Sequence, residues 1–335
     1  MQPLAYSCPH TADEAIEILK AGNGSAAPIL GGTTLVDLAK LGVIAPERVV
    51  DLRALRSAHR AISRDPDGTI TIGGLATMAE AARDPLLRVE VPAIVQALEQ
   101  AASPQIRNMA SIAGNLLQRT RCPYYRDCTW QHCNRRMPGS GCQAISGVAL
   151  SHAVLGVSDA CIATYPGDLA PVLAALEASV VIRGGNGTRV VSVETLHRRP
   201  GSAPDRETNL ASDELMLALR VPPLPCLRRS AFVKLRNRAA FEFAEASAMV
   251  ALDCVGGIIR DARVGLGGVA TVPWRSRAAE ARLVGMRPMD AAADAADAAF
   301  SEAVVRSDTA YKVDMGKRAV MAAIVRAAEM EIFDA

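Results

Sequence analysis

Apolar and polar positions follow two rhythms over the first 55 residues, and together they predict a small α/β unit. Ile16, Leu19 and Lys20 give a helical face between Thr11, which can cap a helix, and Gly22, which can end one. A strand is expected over residues 27–30. Leu35, Leu38 and Ala39 repeat at helical spacing until Gly42 and predict a second helix, followed by a strand over residues 48–52. Residues 69–73 alternate like a half-buried strand, and residues 92–102 read as a helix opened by Pro92. Residues 169–176 then read as a helix and 179–183 as a strand.

Between residues 119 and 161 the periodicity fades, and Gly, Pro and Cys dominate. That is the pattern of an insert organised by something other than an apolar core. The segment Val221-Pro222-Pro223-Leu224-Pro225 reads as a linker. Beyond it lie apolar stretches at 232–235, 246–252 and 264–269, which end in Gly-rich turns, and then Ala-rich helical runs. A chain of 335 residues suggests two domains at about 150 residues each. The expected division is 1–223, with subdomains at about 1–55 and 56–223 and the insert at about 119–161, followed by 224–335.

Composition narrows the function classes. Half of the residues are hydrophobic and 21% are charged, as in ordinary globular proteins, and a formal net charge of +2 is too small for a general nucleic-acid or membrane-surface binder. The longest charge-free stretch, 137–158, contains Pro138, Gln143 and His152, so it lacks the continuous apolar run that a bilayer demands. No basic and then apolar leader opens the chain, so its own sequence places it in the cytoplasm.

Three short motifs can carry chemistry. Gly31-Gly32-Thr33-Thr34 falls between a predicted strand and a predicted helix, where unpaired N–H groups attract phosphate. The same turn also serves as a plain strand–helix connection, and it is not a G-x-G-x-x-G, which disfavours a Rossmann-type site. Ser111-Ile112-Ala113-Gly114-Asn115 supplies a hydroxyl, a small-residue turn and an amide. Tyr165-Pro166-Gly167-Asp168 precedes a helix that Asp168 can simply cap, and Tyr165 can either approach a bound ring or fill a loop core.

Five of the eight cysteines, Cys122, Cys128, Cys133, Cys142 and Cys161, fall within the insert. In a reducing compartment clustered thiols bind metal or do redox chemistry more often than they form disulfides. The cluster lacks the C-x₂-C knuckles of common zinc sites, although a structural zinc stays open. Arg119, Arg121, Arg126, Arg135 and Arg136 surround the first three cysteines with only Asp127 against them, either to offset thiolate charge or as a solvated or partner-docking basic face. The five histidines are dispersed, and those in the insert, His132 and His152, read as surface or hydrogen-bonded residues. No Ser-His-Asp set or H-E-x-x-H is present. Substrate chemistry is therefore expected elsewhere.

In this order and spacing the three motifs resemble the FAD-binding subunit or domain of the molybdenum hydroxylase family, which includes xanthine dehydrogenase, carbon monoxide dehydrogenase and bacterial aldehyde oxidoreductases. The resemblance spans nearly the whole chain. It implies an α/β (α+β) fold in which two subdomains hold the flavin, followed by a C-terminal domain of small antiparallel sheet and helices. By that resemblance Ile29, Leu30, Gly31, Gly32, Thr33, Thr34, Leu35 and Val36 contact FAD together with Ser111, Ile112, Ala113, Gly114 and Asn115. Asp168 would then sit on the cofactor and Lys234 nearby. The cysteine-rich insert is similar to that of the periplasmic aldehyde oxidoreductase branch, which carries an extra 4Fe-4S cluster. This assigns Cys122, Cys133, Cys142 and Cys161 as ligands and leaves Cys128 spare.

The implied role is electron transfer, with no catalytic residue in this chain. Electrons would come from a large molybdenum-cofactor subunit that oxidises aldehydes and cross 2Fe-2S clusters in a small subunit, in a heterotrimer or a multiple of one. They would leave for an external acceptor, without nucleic acid or membrane insertion. A partner bearing a twin-arginine signal could carry the folded chain to the periplasm. The rival readings are a free-standing FAD oxidase and a zinc-stabilised scaffold.

Overall fold

The computed structural model describes residues 3–330, so the outermost ends of the two expected domains, residues 1–2 and 331–335, lie outside it. Three parallel strands open the chain, in the order Ala5–Ser7, Arg48–Asp51, Ala26–Ile29. Parallel neighbours need crossovers, and the helices Ala12–Ala21 and Leu35–Lys40 supply them. The first helix forms where expected because Thr11 Oγ1 accepts from the backbone N–H of Glu14, while Ala15, Ile16 and Leu19 are buried. These side chains pack against Val50, Leu52 and Leu55.

A five-stranded antiparallel sheet follows, ordered Ile62–Arg64, Ile70–Gly73, Leu215–Val221, Ser179–Gly184, Gly187–Ser192. Helices Pro92–Gln100 and Leu169–Ala175 bury Ile94, Leu98 and Leu173 with Val180 and Leu219 in one core. The strand Leu215–Val221 corrects the linker expected over residues 221–225. Val221 is fully buried and pairs with Ile70, and the connection begins only after it. Opposite Val181 and Ile182 this strand shifts register, which re-aims its side chains. Leu215 and Leu217 thereby enter the core of the first sheet, while Met216, Leu219 and Val221 enter the larger core.

The C-terminal part is a four-stranded antiparallel sheet, ordered Trp274–Arg275, Ile258–Gly267, Ala246–Val255, Ser230–Leu235. One face packs on helices Arg277–Leu283, Pro288–Ala299 and Ala310–Ala328 through Val250, Leu252, Val264, Ala295, Val320 and Ile324. The other face sends Phe232, Met249 and Ala251 into the larger core. Close approach there depends on Gly265, where an added Cβ would lie 2.4 Å from the Pro171 carbonyl oxygen. Residues 119–161 form short helices at Pro123–Arg126 and Gln143–Ser146 and are otherwise irregular, as their composition predicts. Among the described residues no helix is long and apolar enough to cross a membrane.

The alanine-rich helices pack tightly enough to be tested. A Cβ on Gly316 would meet Phe300 Cζ at 2.0 Å inside the C-terminal core. Gly316→Ala should therefore destabilise by about 1–3 kcal/mol through overpacking, despite alanine's better helix propensity. A denaturant midpoint equal to or above the parent's would refute this packing.

Candidate functional site

A cavity of about 750 Å³ opens between the first sheet, the segment 101–119 and the start of the helix Leu169–Ala175. This is an ordinary volume for a small-molecule or cofactor site. One wall is the turn from Ile29 to Leu35. Gly32 has φ +67°, which favours glycine, and an added Cβ on Gly31 would lie 2.0 Å from the Met109 carbonyl oxygen. The turn is thus pressed against the backbone just before Ser111. Thr34 makes no side-chain cap on the helix it opens, so no hydroxyl covers the helix's first N–H groups.

The second motif forms a short helix, Ile112–Leu116, where a tight turn was expected. Ser111 Oγ accepts from Gly114 N at 3.1 Å, so this hydroxyl oxygen caps the helix. Ser111, Ala113, Gly114 and Asn115 line the cavity, while Ile112 is buried behind them in the core. Val36 does not line it either; its Cγ2 closes on Gly32. Asn115 Nδ2 faces Met78 Sδ at 3.5 Å, and its Oδ1 is buried without a partner.

Asp168 begins the helix Leu169–Ala175 but does not cap it with its side chain. Its Oδ2 instead accepts from Lys234 Nζ at 2.6 Å, with both side chains almost wholly buried. Lys234 also donates to the Gln100 carbonyl at 3.1 Å. Burial pushes the Asp168 carboxyl above the usual carboxylate range, and the ammonium of Lys234 opposes that shift. Asp168 Oδ1 has no partner, whereas Lys234 lies off the cavity wall and acts by holding Asp168. Tyr165 is a core residue: its hydroxyl donates to the Leu116 carbonyl at 2.9 Å, and its ring meets His197 edge-on.

Other cavity residues come from distant segments. Ala101, Ala102, Ile106, Leu210 and Met216 line the wall, and the connection between strands Ser230–Leu235 and Ala246–Val255 brings Arg238, Phe241 and Phe243 to it. Arg121 lies over the Phe243 ring at 4.8 Å. The sequence signal for this loop was slight: two of only five phenylalanines sit two residues apart.

The fold also gathers Cys122, Cys133, Cys142 and Cys161. Cys133 and Cys142 face each other in an antiparallel bridge, and Cys142 shares a hydrogen bond with Cys161. Cys122 is close enough to feel the charge of both Cys133 and Cys161. Burial pushes the Cys122 thiol up to about 12. The hydrogen bond from Cys142, helped by Arg135, holds Cys161 down at about 6. Cys128 is exposed and its thiol donates to the Leu41 carbonyl at 3.5 Å. His152 Nε2 lies 3.2 Å from Cys122 Sγ, and exposed His132 bonds the Ser140 carbonyl through Nδ1. Among the described residues no three Cys, His, Asp or Glu groups converge tightly enough for a single metal ion.

The five arginines of the insert are internal ties, not a solvated face. Arg121 and Arg126 pair with Asp37 at 3.2 and 2.6 Å. Arg119 and Arg135 pair with Glu207, and Arg136 donates to the carbonyls of Tyr124 and Tyr125.

Residues 2–224 match the family model described as the FAD binding domain in molybdopterin dehydrogenase, and residues 230–327 match the CO dehydrogenase flavoprotein C-terminal domain. The chain is 38% identical over 300 residues to the aldehyde oxidoreductase FAD-binding subunit of Escherichia coli, covering 89% of this chain and 90% of that one. It is 26% identical over 333 residues to the carbon monoxide dehydrogenase medium chain of Hydrogenophaga pseudoflava, covering 96% and 98%. The solved carbon monoxide dehydrogenase of that organism superposes with a TM-score of 0.75 at 25% identity, covering 98% of each chain. The FAD model spans the turn, the capped helix and Asp168 together. The residues present fit such a cofactor: buried Asn115 Oδ1 and Asp168 Oδ1 lack partners, and the glycine turn lets a ligand approach the backbone.

Two outcomes follow from this geometry. Gly31→Ala must displace the Met109 backbone, so it should lower stability by about 1–3 kcal/mol and reduce flavin retained per chain after gel filtration. Full retention would show that the turn has room to spare. His197 is buried with Nε2 unpartnered, and desolvation lowers it from 6.5 to about 4. The unfolded chain therefore binds a proton below pH 6.5 that the folded chain refuses until about pH 4, so stability falls as pH drops through that window. The slope from this group is up to about 1.4 kcal/mol per pH unit. His197→Gln should show a shallower fall in thermal midpoint from pH 6.5 to 4.5 than the parent; parallel curves would contradict the assignment.

Proposed function

Because this chain belongs to the FAD-binding medium subunits of the molybdenum hydroxylase family, we propose that it is the electron-transfer subunit of a molybdenum-dependent aldehyde oxidoreductase. The observation that carries this reading is the convergence of three sequence-distant segments, Ile29–Leu35, Ala113–Asn115 and Asp168, on one cavity within the matched FAD-binding region. Bound FAD supplies the ability to take up electrons singly and release them singly or in pairs. The chain positions it: the Gly31-Gly32 turn presents backbone N–H groups to the pyrophosphate, and Asn115 and Asp168 offer their unpartnered oxygens as acceptors. Lys234 keeps Asp168 in place.

The insert supports a second group, a 4Fe-4S cluster on Cys122, Cys133, Cys142 and Cys161, with Cys128 outside it. The four thiols lie together in a loop that no large apolar core organises, the setting in which four thiolates can wrap a cubane cluster. Electrons arrive from a large molybdenum subunit and a small 2Fe-2S subunit and leave for an external acceptor.

Anaerobically purified protein should carry FAD and about four irons with labile sulfide per chain. Alone it should show no aldehyde-dependent flavin reduction; with the large and small subunits added it should. Cys128→Ser should keep the iron, and Cys161→Ser should not. One zinc without sulfide would remove the cluster, and rapid flavin reduction by aldehyde in the isolated chain would remove the relay role.

A further inference from the structure

Glu207 stands outside the cysteine-rich insert, between the helix Val193–Leu196 and the strand Leu215–Val221, yet it grips the insert at two points. Its Oε1 accepts from Arg119 Nε at 2.5 Å, and its Oε2 pairs with Arg135 Nη1 at 2.7 Å. Arg119 precedes Cys122 by three residues, and Arg135 follows Cys133 by two. Arg135 is the more deeply placed, with its side chain only 7% exposed and its Nε unpartnered. Its Nη2 donates to Cys161 Sγ at 3.8 Å. A guanidinium this buried needs its counter-charge; without Glu207 it gains by swinging out toward water.

We infer that Glu207 is a positioning residue for the iron–sulfur group: by anchoring Arg135 it keeps a guanidinium N–H on the Cys161 sulfur and so sets how readily the cluster accepts an electron. This rests on the cluster reading above. A hydrogen bond and a positive charge at a ligand sulfur stabilise the reduced, more negative cluster, which raises its potential. The carboxylate of Glu207 acts through space in the opposite sense, because it is itself an anion. The two roles therefore give opposite signs when its charge is removed. If Glu207 were only a nearby charge, Glu207→Gln would raise the potential; as the anchor of Arg135, its loss must lower it.

The test uses the full 335-residue chain purified anaerobically, with iron, sulfide and FAD counted in every sample and the cluster titrated with dithionite under electron paramagnetic resonance. Glu207→Gln and Arg135→Gln should each lower the ratio of reduced to oxidised cluster at fixed potential about tenfold, or about 59 mV for one electron. In the Arg135→Gln background, Glu207→Gln should produce no further fall. If Glu207→Gln fails to assemble the cluster, Glu207→Asp takes its place with the same expected fall, since its shorter carboxylate cannot hold both guanidinium groups. A potential unchanged or raised on loss of the carboxylate, in protein that keeps its iron and FAD, overturns the positioning role. Parent protein lacking iron and sulfide overturns the cluster itself, and with it this inference.

Discussion

The buried pair of Asp168 and Lys234 joins three parts of the molecule at one point. A carboxylate and an ammonium almost wholly shielded from water must stay together, because removing either leaves an uncompensated charge in a dry site at a cost of about 3–5 kcal/mol. Such pairs add little net stability relative to apolar residues of similar volume. What this one contributes is geometry. It ties the start of the helix Leu169–Ala175 to the C-terminal sheet, and the second bond from Lys234, to the Gln100 carbonyl, adds the end of the helix Pro92–Gln100. Three elements next to the cavity are thus joined at one ammonium, and Asp168 Oδ1 is left without a partner.

The cysteine-rich insert is held by charge pairs as well. It has one small apolar cluster around Tyr124, shares a second, around Tyr125, with Leu38, and is tied by arginines to the body of the protein. Asp37 takes Arg121 and Arg126 next to the cavity wall, while Glu207 takes Arg119 and Arg135 on another segment. Charged pairs tolerate an irregular backbone, where a packed core would demand regular spacing. Because Arg121 also stacks on Phe243, the insert and the cavity share side chains.

Local physics made part of this legible in advance. The cap at Thr11 and the periodic face behind it were sufficient for the first helix, because both lie within one turn of each other. The Gly31-Gly32 turn, the Ser111–Asn115 segment and the clustered cysteines could likewise be singled out as short strings, since each depends on residue types at close spacing. Whether those strings meet is not a local property. Val221 reads as the start of a linker because prolines follow it closely; its place at the end of strand Leu215–Val221 follows from pairing with strands some 145 and 36 residues earlier, Ile70–Gly73 and Ser179–Gly184.

The sequence by itself determined which residues were chemically able to act: glycines that admit a close backbone approach, five clustered thiols, a carboxylate at a helix start. Only the tertiary structure decided their roles. It turned Asp168 from a helix cap into the partner of Lys234, left Val36 and Ile112 behind the cavity wall, gave Ser111 to a helix cap, and separated Cys128 from the other four cysteines. The reason is that capping, spacing and turn chemistry act over one or two turns of chain, whereas burial and charge pairing depend on which distant segment arrives alongside.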